Sequence, residues 1–263
     1  VAVEVVVVPS KNDGSELVGG AIADLLTRNP EAVLGLATGS TPLGVYDDLV
    51  RRHTEDGLSF ARAKGFALDE YVGLPPNHPE SYRAVIKREI ADRVDFAPDS
   101  VHGPDGWASD IPAACAEYEA AIIAAGGIDL QILGVGTDGH IGFNEPISSL
   151  ASLTRIKTLT EQTREDNARF FDDDLSQVPT HVLTQGVGTI LRARHLVLLA
   201  WGESKAEAIR DTVEGPVTSM IPSTALQLHE HATIVVDEAA ASKLANRDHY
   251  KWTYANKPAW QGI

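Results

Sequence analysis

IDLQILGVGTDGHIGFNEP, residues 128–146, passes from a short apolar run directly into a loop of glycines and polar side chains. The run is almost continuously apolar, where a half-exposed strand would alternate. Such a strand is covered on both faces, as in a parallel sheet held between two helical layers. Similar runs recur at VEVVVV (3–8), AVLGLAT (32–38), AKGFAL (63–68), HLVLLAW (195–201) and ATIVVDE (232–238). Segments with helical periodicity, such as ELVGGAIADLLTR (16–28) and ACAEYEAAIIAAG (114–126), neighbour them. The pattern predicts an α/β fold: successive βα units in an open, mainly parallel sheet with helices on both faces. A charged stretch from about residue 158 to 180 (EQTRED, FFDDDLSQ) interrupts the alternation and is expected to form a mobile cover over a site.

Composition narrows the function classes. The 263 residues are 43% hydrophobic and 22% charged, enough for one large core and a single expected domain. A formal net charge of −15 argues against general affinity for nucleic acid or an anionic membrane, both of which need a basic surface. An anionic ligand must therefore be held by local groups. The lone Cys115 excludes an intramolecular disulfide or a cysteine-based zinc cage and fits a reducing cytoplasm. The opening VAVEVVVVPS has no basic leader, is too short to span a bilayer and contains Glu4, so it is expected to be a buried first strand.

Polar motifs occupy the same place in successive units. ATGSTP (37–42), LDEY (68–71), GTDGH (136–140) and WGESK (201–205) each follow an expected strand. Loops after the carboxyl ends of parallel strands share one edge of the sheet, so four motifs should face one crevice at the switch in strand order.

In ATGSTP, Gly39 permits unusual backbone angles, Ser40 and Thr41 carry hydroxyls, and Pro42 suits the first turn of a helix over PLGVYDDLVRRH. A helix start of this kind is either an ordinary cap or a phosphate site. The GxGxxG and GxxxxGK[ST] fingerprints are absent from it, which removes the main support for nicotinamide or nucleoside triphosphate binding. Lys205, at an expected helix start, and Arg169, in the expected cover, are candidate phosphate ligands or plain surface charges. Arg155 and Lys157 pose the same alternative.

Side-chain alternation in an extended LDEY turns one of Asp69 and Glu70 into the crevice and the other away. A carboxylate held there is either a turn cap or a base able to take a proton from carbon beside a carbonyl. In the 134–146 loop, Asp138 or Glu145 could orient His140 for proton transfer. The alternatives are a plain Asp-Gly turn and a metal site; the latter lacks any second His or Cys cluster with ligand spacing. No serine stands in a GxSxG elbow.

ATGSTP, LDEYVGLPPNHPESY (68–82), LGVGTDGHIGFNEPISSLASLTRIKT (133–158), TREDNARFFD (163–172) and EGPVTSMIPSTALQLH (214–229) together resemble the glucosamine-6-phosphate deaminase (isomerase) family over nearly the whole chain. The resemblance implies a Rossmann-like fold in one domain, 1–263, with a lid at 158–180. It implies conversion of glucosamine 6-phosphate and water to fructose 6-phosphate and ammonia, in cytoplasmic N-acetylglucosamine catabolism, with no metal or organic cofactor. It assigns the carbon base to Asp69, ring opening to Asp138, His140 and Glu145, and the phosphate site to Gly39, Ser40, Thr41, Arg169 and Lys205.

Some relatives are hexamers activated by N-acetylglucosamine 6-phosphate. Positions matching their effector site are Ser148, Arg155, Lys157, Thr158 and Tyr250, although Leu153 stands where relatives commonly carry Arg. Alternatives are a galactosamine-6-phosphate deaminase, a 6-phosphogluconolactonase-like hydrolase and a sugar-phosphate sensor. The lactonase pattern differs after the histidine, and lactone hydrolysis has no need of a carbon base.

Overall fold

The computed structural model describes residues 3–75, 77–258 and 260–263. Seven strands build the main sheet: β1 (Glu4–Val8), β2 (Val33–Leu36), β3 (Lys64–Ala67), β5 (Val101–His102), β6 (Leu130–Leu133), β9 (His195–Ala200) and β10 (Ala232–Asp237). Their order is β1-β10-β9-β6-β2-β3-β5, and every pairing is parallel. All six apolar runs identified in the sequence are strands of this sheet. The seventh, β5, has two residues and no periodicity to betray it.

β2, β6 and β9 are buried at every position. Since successive side chains point to opposite faces, both faces of the sheet centre are covered, which yields the Rossmann-like α/β architecture. Helix α1 (Lys11–Arg28) starts at Ser10, whose Oγ accepts the Asp13 N–H at 3.2 Å, and buries Val18, Ile22 and Leu26 at four-residue spacing. It packs against α2 (Leu43–Asp56). Helix α4 (Ile111–Ala124) is capped by Asp110, which accepts the Ala113 N–H at 3.0 Å. Tyr118 on α4 packs its ring near Phe66 of β3, 5.9 Å between centroids.

The strand order reverses between β2 and β6. From β2 the chain moves outward to β3, and from β6 it moves the other way to β9. The loops leaving these neighbours therefore flank one crevice. They lie close together there: a Cβ on Gly134 would sit 3.6 Å from Thr41 Oγ1.

A second sheet was not foreseen. β4 (Asp69–Tyr71), β8 (His181–Thr184) and β7 (Arg155–Thr158) pair antiparallel in the order β4-β8-β7. Asp69 and Glu70 thus do not terminate the third strand, as expected, but belong to a strand of their own. The chain changes sheets at Leu68: its N–H donates to the Leu36 carbonyl at 3.0 Å, and its carbonyl accepts from the Gln185 N–H at 2.8 Å. The expected cover is the connection between β7 and β8 and contains helix α5 (Glu161–Ala168). A separate hydrophobic cluster joins Leu159, Phe171 and Val178 of this connection to Tyr71 of β4, Val182 of β8 and Phe143.

The remaining helices are α3 (Tyr82–Glu89), α6 (Val187–Ile190), α7 (Ala206–Glu214) and α8 (Arg247–Ala255). Among the described residues, no helix is long and apolar enough to cross a membrane.

Candidate active site

The four strand-end motifs meet as expected. Ala37 to Thr41, Leu68, Asp69, Gly134 to Thr137, His140 and Lys205 line one cavity of ≈ 370 Å³ at the carboxyl edge of the main sheet. Thr163, Asp166, Asn167 and Arg169 reach it from the β7–β8 connection, and Glu80 from the segment before α3.

One end of this cavity begins with the loop after β2. Tyr46 of α2 pins its first residue: the phenol accepts the Ala37 N–H at 3.1 Å and donates to the Ala37 carbonyl at 2.7 Å. Gly39 follows at φ +85°, a left-handed conformation that side chains resist. Pro42 occupies the N-cap of α2, one position before the first turn where it was expected, and offers no side-chain cap. The first N–H groups of α2 are therefore left without a capping side chain beside the cavity, where partial positive charge favours an anion.

Lys205 sits at the N-cap of α7, and Arg169 caps the C-terminal end of α5. Burial pushes the Lys205 ammonium below its usual range; Asp138 pulls it back up, and nearby Arg169 pushes it down. The Arg169 guanidinium lies 4.8 Å from the centre of the Phe170 ring.

Asp69 and Glu70 part as alternation requires. Glu70 accepts the N–H groups of Tyr71 at 2.8 Å, Tyr82 at 2.9 Å and Arg83 at 2.9 Å, and so closes the start of α3. Asp69 lines the cavity and is buried, and its carboxylate accepts no hydrogen bond among the described residues. Burial, reinforced by the neighbouring Glu70 charge, raises its pKa well above the ordinary carboxylate value. A buried carboxylate without partners is costly, and such groups concentrate at reactive sites.

In the 134–146 loop, Asp138 Oδ1 bonds His140 Nδ1 at 2.7 Å and accepts the His140 N–H at 3.1 Å. Burial raises the Asp138 pKa, but the hydrogen bond and charge of His140 outweigh it and hold the carboxyl below its ordinary value. Nδ1 is thus engaged, and Nε2 has no protein partner among the described residues. The ring lies close over Gly136, where a Cβ would stand 2.2 Å from ring atoms. Any side chain there displaces the imidazole.

Glu145 departs from expectation. Its Oε1 accepts from Thr163 Oγ1 at 2.6 Å, Thr160 Oγ1 at 3.3 Å and the Thr160 N–H at 3.4 Å, all at the start of α5. It makes no hydrogen bond to His140. Of the two carboxylates flanking the histidine, Asp138 holds the ring and Glu145 holds the start of α5.

The sequence reading missed an aromatic wall. Tyr71, Tyr82, Phe143 and Phe171 line the cavity; Tyr82 stacks on Phe143 at 6.0 Å and 3°, and Asn167 of α5 donates to the Tyr71 hydroxyl at 3.0 Å. Tyr71 was accessible to the same alternation that placed Asp69, two residues before it on the same face.

The five positions matched to an effector site are not brought together. Ser148 is buried with its hydroxyl unpartnered. Arg155 and Lys157 lie two apart on β7 with Thr158 at its end, and Arg155 Nη1 donates to Asn144 Oδ1 at 2.9 Å. Tyr250 is on α8, which packs against β1, and its hydroxyl donates to Glu214 at 3.0 Å. Leu153 is exposed, and its carbonyl accepts from Arg155 at 3.3 Å. None of these residues lines the cavity. Among the described residues, no group of three or more His, Cys, Asp or Glu side chains could hold a metal ion.

The chain matches the family described as glucosamine-6-phosphate isomerases/6-phosphogluconolactonase over residues 12–235. A glucosamine-6-phosphate deaminase of Mycolicibacterium smegmatis is 64% identical over 260 residues, spanning 99% of this chain and 100% of the relative. One from Bifidobacterium longum is 54% identical over 268 residues, with 99% of each chain covered. A solved structure of a monomeric glucosamine-6-phosphate deaminase superposes with a TM-score of 0.89 at 41% identity, over 91% of this chain and 99% of its own. A 6-phosphogluconolactonase from Trypanosoma cruzi reaches 0.73 at 20% identity, over 92% and 97%, a likeness of fold alone.

Proposed function

The chain belongs to the glucosamine-6-phosphate isomerase/6-phosphogluconolactonase family, and from that premise we propose that it converts glucosamine 6-phosphate and water to fructose 6-phosphate and ammonia. One observation carries the choice within the family. Asp69 is a buried, unpartnered carboxylate with a raised pKa, in the same cavity as His140 and Lys205. Such a group suits abstraction of a proton from carbon, a step that lactone hydrolysis does not contain.

The substrate phosphate occupies the Gly39, Ser40 and Thr41 loop at the start of α2, with Lys205 and Arg169 as its cations. His140, oriented by Asp138, moves the anomeric hydroxyl proton to the ring oxygen through Nε2 and opens the pyranose. Asp69 then takes the C2 proton, made acidic by the new C1 carbonyl. Reprotonation of the resulting enediol-amine at C1 leaves an iminium at C2. Water adds there and ammonia departs, completing the ketose. Glu145 serves this sequence through the cover, by fixing the start of α5. The chain acts as one catalytic domain, with residues 158–180 as a lid that limits access of bulk water to the intermediate.

The test uses purified protein with glucosamine 6-phosphate, galactosamine 6-phosphate and 6-phosphogluconolactone, and measures ammonia, fructose 6-phosphate and acid release. Ammonia and ketose from the first substrate alone support the assignment. Acid from the lactone without ammonia from either sugar overturns it. For Asp69, solvent deuterium uptake at C2 is diagnostic: an Asp69→Asn variant that exchanges at the wild-type rate removes the residue from its role.

Control of this activity is proposed at a second anion site formed by Ser148, Arg155, Lys157 and Thr158, with Tyr250, in a homo-hexamer. N-acetylglucosamine 6-phosphate is the effector. The buried unpartnered Ser148 hydroxyl and the Arg155 link to Asn144 in the catalytic loop support it. The Tyr250 hydroxyl is engaged with Glu214, and the proposed site takes its tyrosine from a second copy of the chain. Sigmoidal kinetics that turn hyperbolic with the acetylated sugar phosphate, together with a hexameric mass by light scattering, are expected. A monomeric mass with unchanged kinetics overturns it.

A further inference from the structure

EGPVTSMIPSTALQLH, residues 214–229, supplies no group to the reaction described above, yet it touches the catalytic loop on both sides of His140. The Ser223 N–H donates to the carbonyl of Gly139 at 2.9 Å, the residue between Asp138 and His140. At the other end of the loop, the Ile147 N–H donates to the Ser219 carbonyl at 2.8 Å. Ile147 has φ +68°, a left-handed conformation costly for a β-branched residue that persists only where surroundings impose it. Ile221 fills the space beside Gly139 so closely that a Cβ there would stand 2.4 Å from it.

This segment is itself held rigidly. The Thr224 hydroxyl accepts the Thr218 N–H at 2.9 Å and lies within hydrogen-bonding distance of the Thr218 and Ile221 carbonyls, at 3.0 and 2.7 Å, closing residues 218–224 into a turn. Ser223 Oγ, fully buried, meets Thr212 Oγ1 of α7 at 2.6 Å. Gln227 Nε2 donates to the carbonyls of Thr212 at 2.8 Å and Gly215 at 2.9 Å. The turn is therefore bound to the end of α7, and the opposite end of that helix starts at Lys205.

We propose that residues 216–227 form a clasp that fixes the Asp138–His140 pair relative to Lys205, with Ser223 as a positioning residue acting through Gly139 and through Thr212. This inference rests on the assigned reaction for its kinetic consequence, but not for its structural one. A helix of nine residues is a strut of about 14 Å at 1.5 Å per residue. Its two ends tie the phosphate cation to the ring-opening loop. A sugar phosphate seated on Lys205 then meets His140 at a set distance, as positional catalysis demands. Loosening the clasp leaves the phosphate contacts intact and misplaces the imidazole.

The test compares Thr212→Val, which removes the hydroxyl partner of Ser223, with Thr212→Ser, which keeps it, and with Ile221→Ala, which removes only the packing on Gly139. All are checked for wild-type far-UV circular dichroism and a cooperative melt. With glucosamine 6-phosphate, kcat is expected to fall about tenfold in Thr212→Val and Ile221→Ala with KM within twofold, and to be restored in Thr212→Ser. Without substrate, the downfield proton resonance of the His140 Nδ1–H bonded to Asp138 should broaden in the first two variants and stay sharp in the third.

Wild-type kcat and a sharp resonance in folded Thr212→Val and Ile221→Ala overturn the clasp. So does a kcat loss that Thr212→Ser shares, or one with the resonance unchanged, since either marks a general structural defect. If wild-type protein does not act on glucosamine 6-phosphate, the assigned reaction fails, and the resonance alone still decides the clasp.

Discussion

Two cavities of similar size lie at separate places in the molecule. The one at the carboxyl edge, ≈ 370 Å³, contains ionisable groups with no protein partner among the described residues: Asp69, Lys205 and the Nε2 side of His140. The other, ≈ 410 Å³, is lined by the C-terminal halves of α1 and α2 and the turn after them, and its charges are already engaged. Arg52 donates to Asp48 at 2.6 Å and to the Glu16 carbonyl at 3.4 Å, Arg62 pairs with Glu31 at 2.7 Å, and Asp56 lies 3.6 Å from Arg51. Volume does not separate them. Charge left uncompensated does, because a protein retains that cost only where a ligand relieves it.

If that contrast is right, the largest effect falls on Asp69. Asp69→Asn should lower kcat about 10³-fold, within the span of a lost general base. The same change should stabilise the protein. Folding raises the Asp69 pKa, so between the ordinary carboxylate value and the raised one the folded chain keeps a proton that the unfolded chain has released. Stability contributed by this group therefore falls as pH rises through that window. Thermal melts of the variant should exceed wild type by more at neutral than at acid pH; a gap that shrinks as pH rises would break the comparison.

His140→Gln should follow, with kcat reduced about 10²-fold and C2 exchange from the cyclic sugar lost with it. Lys205→Met should next raise KM about tenfold or more, the effect of losing a charged hydrogen bond to phosphate, with a smaller change in kcat; titration with inorganic phosphate reads the same loss without turnover. Glu70→Ala sharpens the contrast within two adjacent residues. It should cost about 1–3 kcal/mol of stability by leaving three N–H groups without their acceptor, seen as a lower Tm. At the other cavity, Arg62→Ala breaks an exposed pair and should change stability by less than about 1 kcal/mol and kcat/KM not at all. A measurable kinetic effect there would show that paired charge does not mark an idle cavity.

Much of this was legible in the sequence, and the failures have physical causes. The six long strands of the main sheet are buried on both faces, and continuous apolar runs report that directly. β4, β7 and β8 escaped because DEY and RIKT carry polar or charged residues, and the connection between β7 and β8 gives no hairpin turn signal. The crevice was readable because glycine and polar residues follow strands in register with the fold. That Asp69 faces it while Glu70 does not follows from strand alternation alone. The partners of Glu145 were not readable, since they lie 15 and 18 residues away on a helix whose position depends on the second sheet. The role of residues 214–229 was equally hidden, because its hydrogen bonds to the 134–146 loop and the residue after it join backbone groups, which leave no mark in side-chain identity.

The lining of the catalytic cavity mixes its cations with the carboxylates of Glu80 and Asp166, in a chain of net charge −15. Arrival and departure are thereby opposed. In the proposed reaction a sugar phosphate approaches against the long-range field and is captured only once it reaches the short-range pull of Lys205 and Arg169. The nitrogen leaves as a cation at neutral pH, and the same long-range field attracts it, so its escape from the surface is slowed as well. On that reading only the short-range repulsion of Lys205 and Arg169 pushes the cation off the pocket floor, so the two ions are sorted by their distance from those side chains.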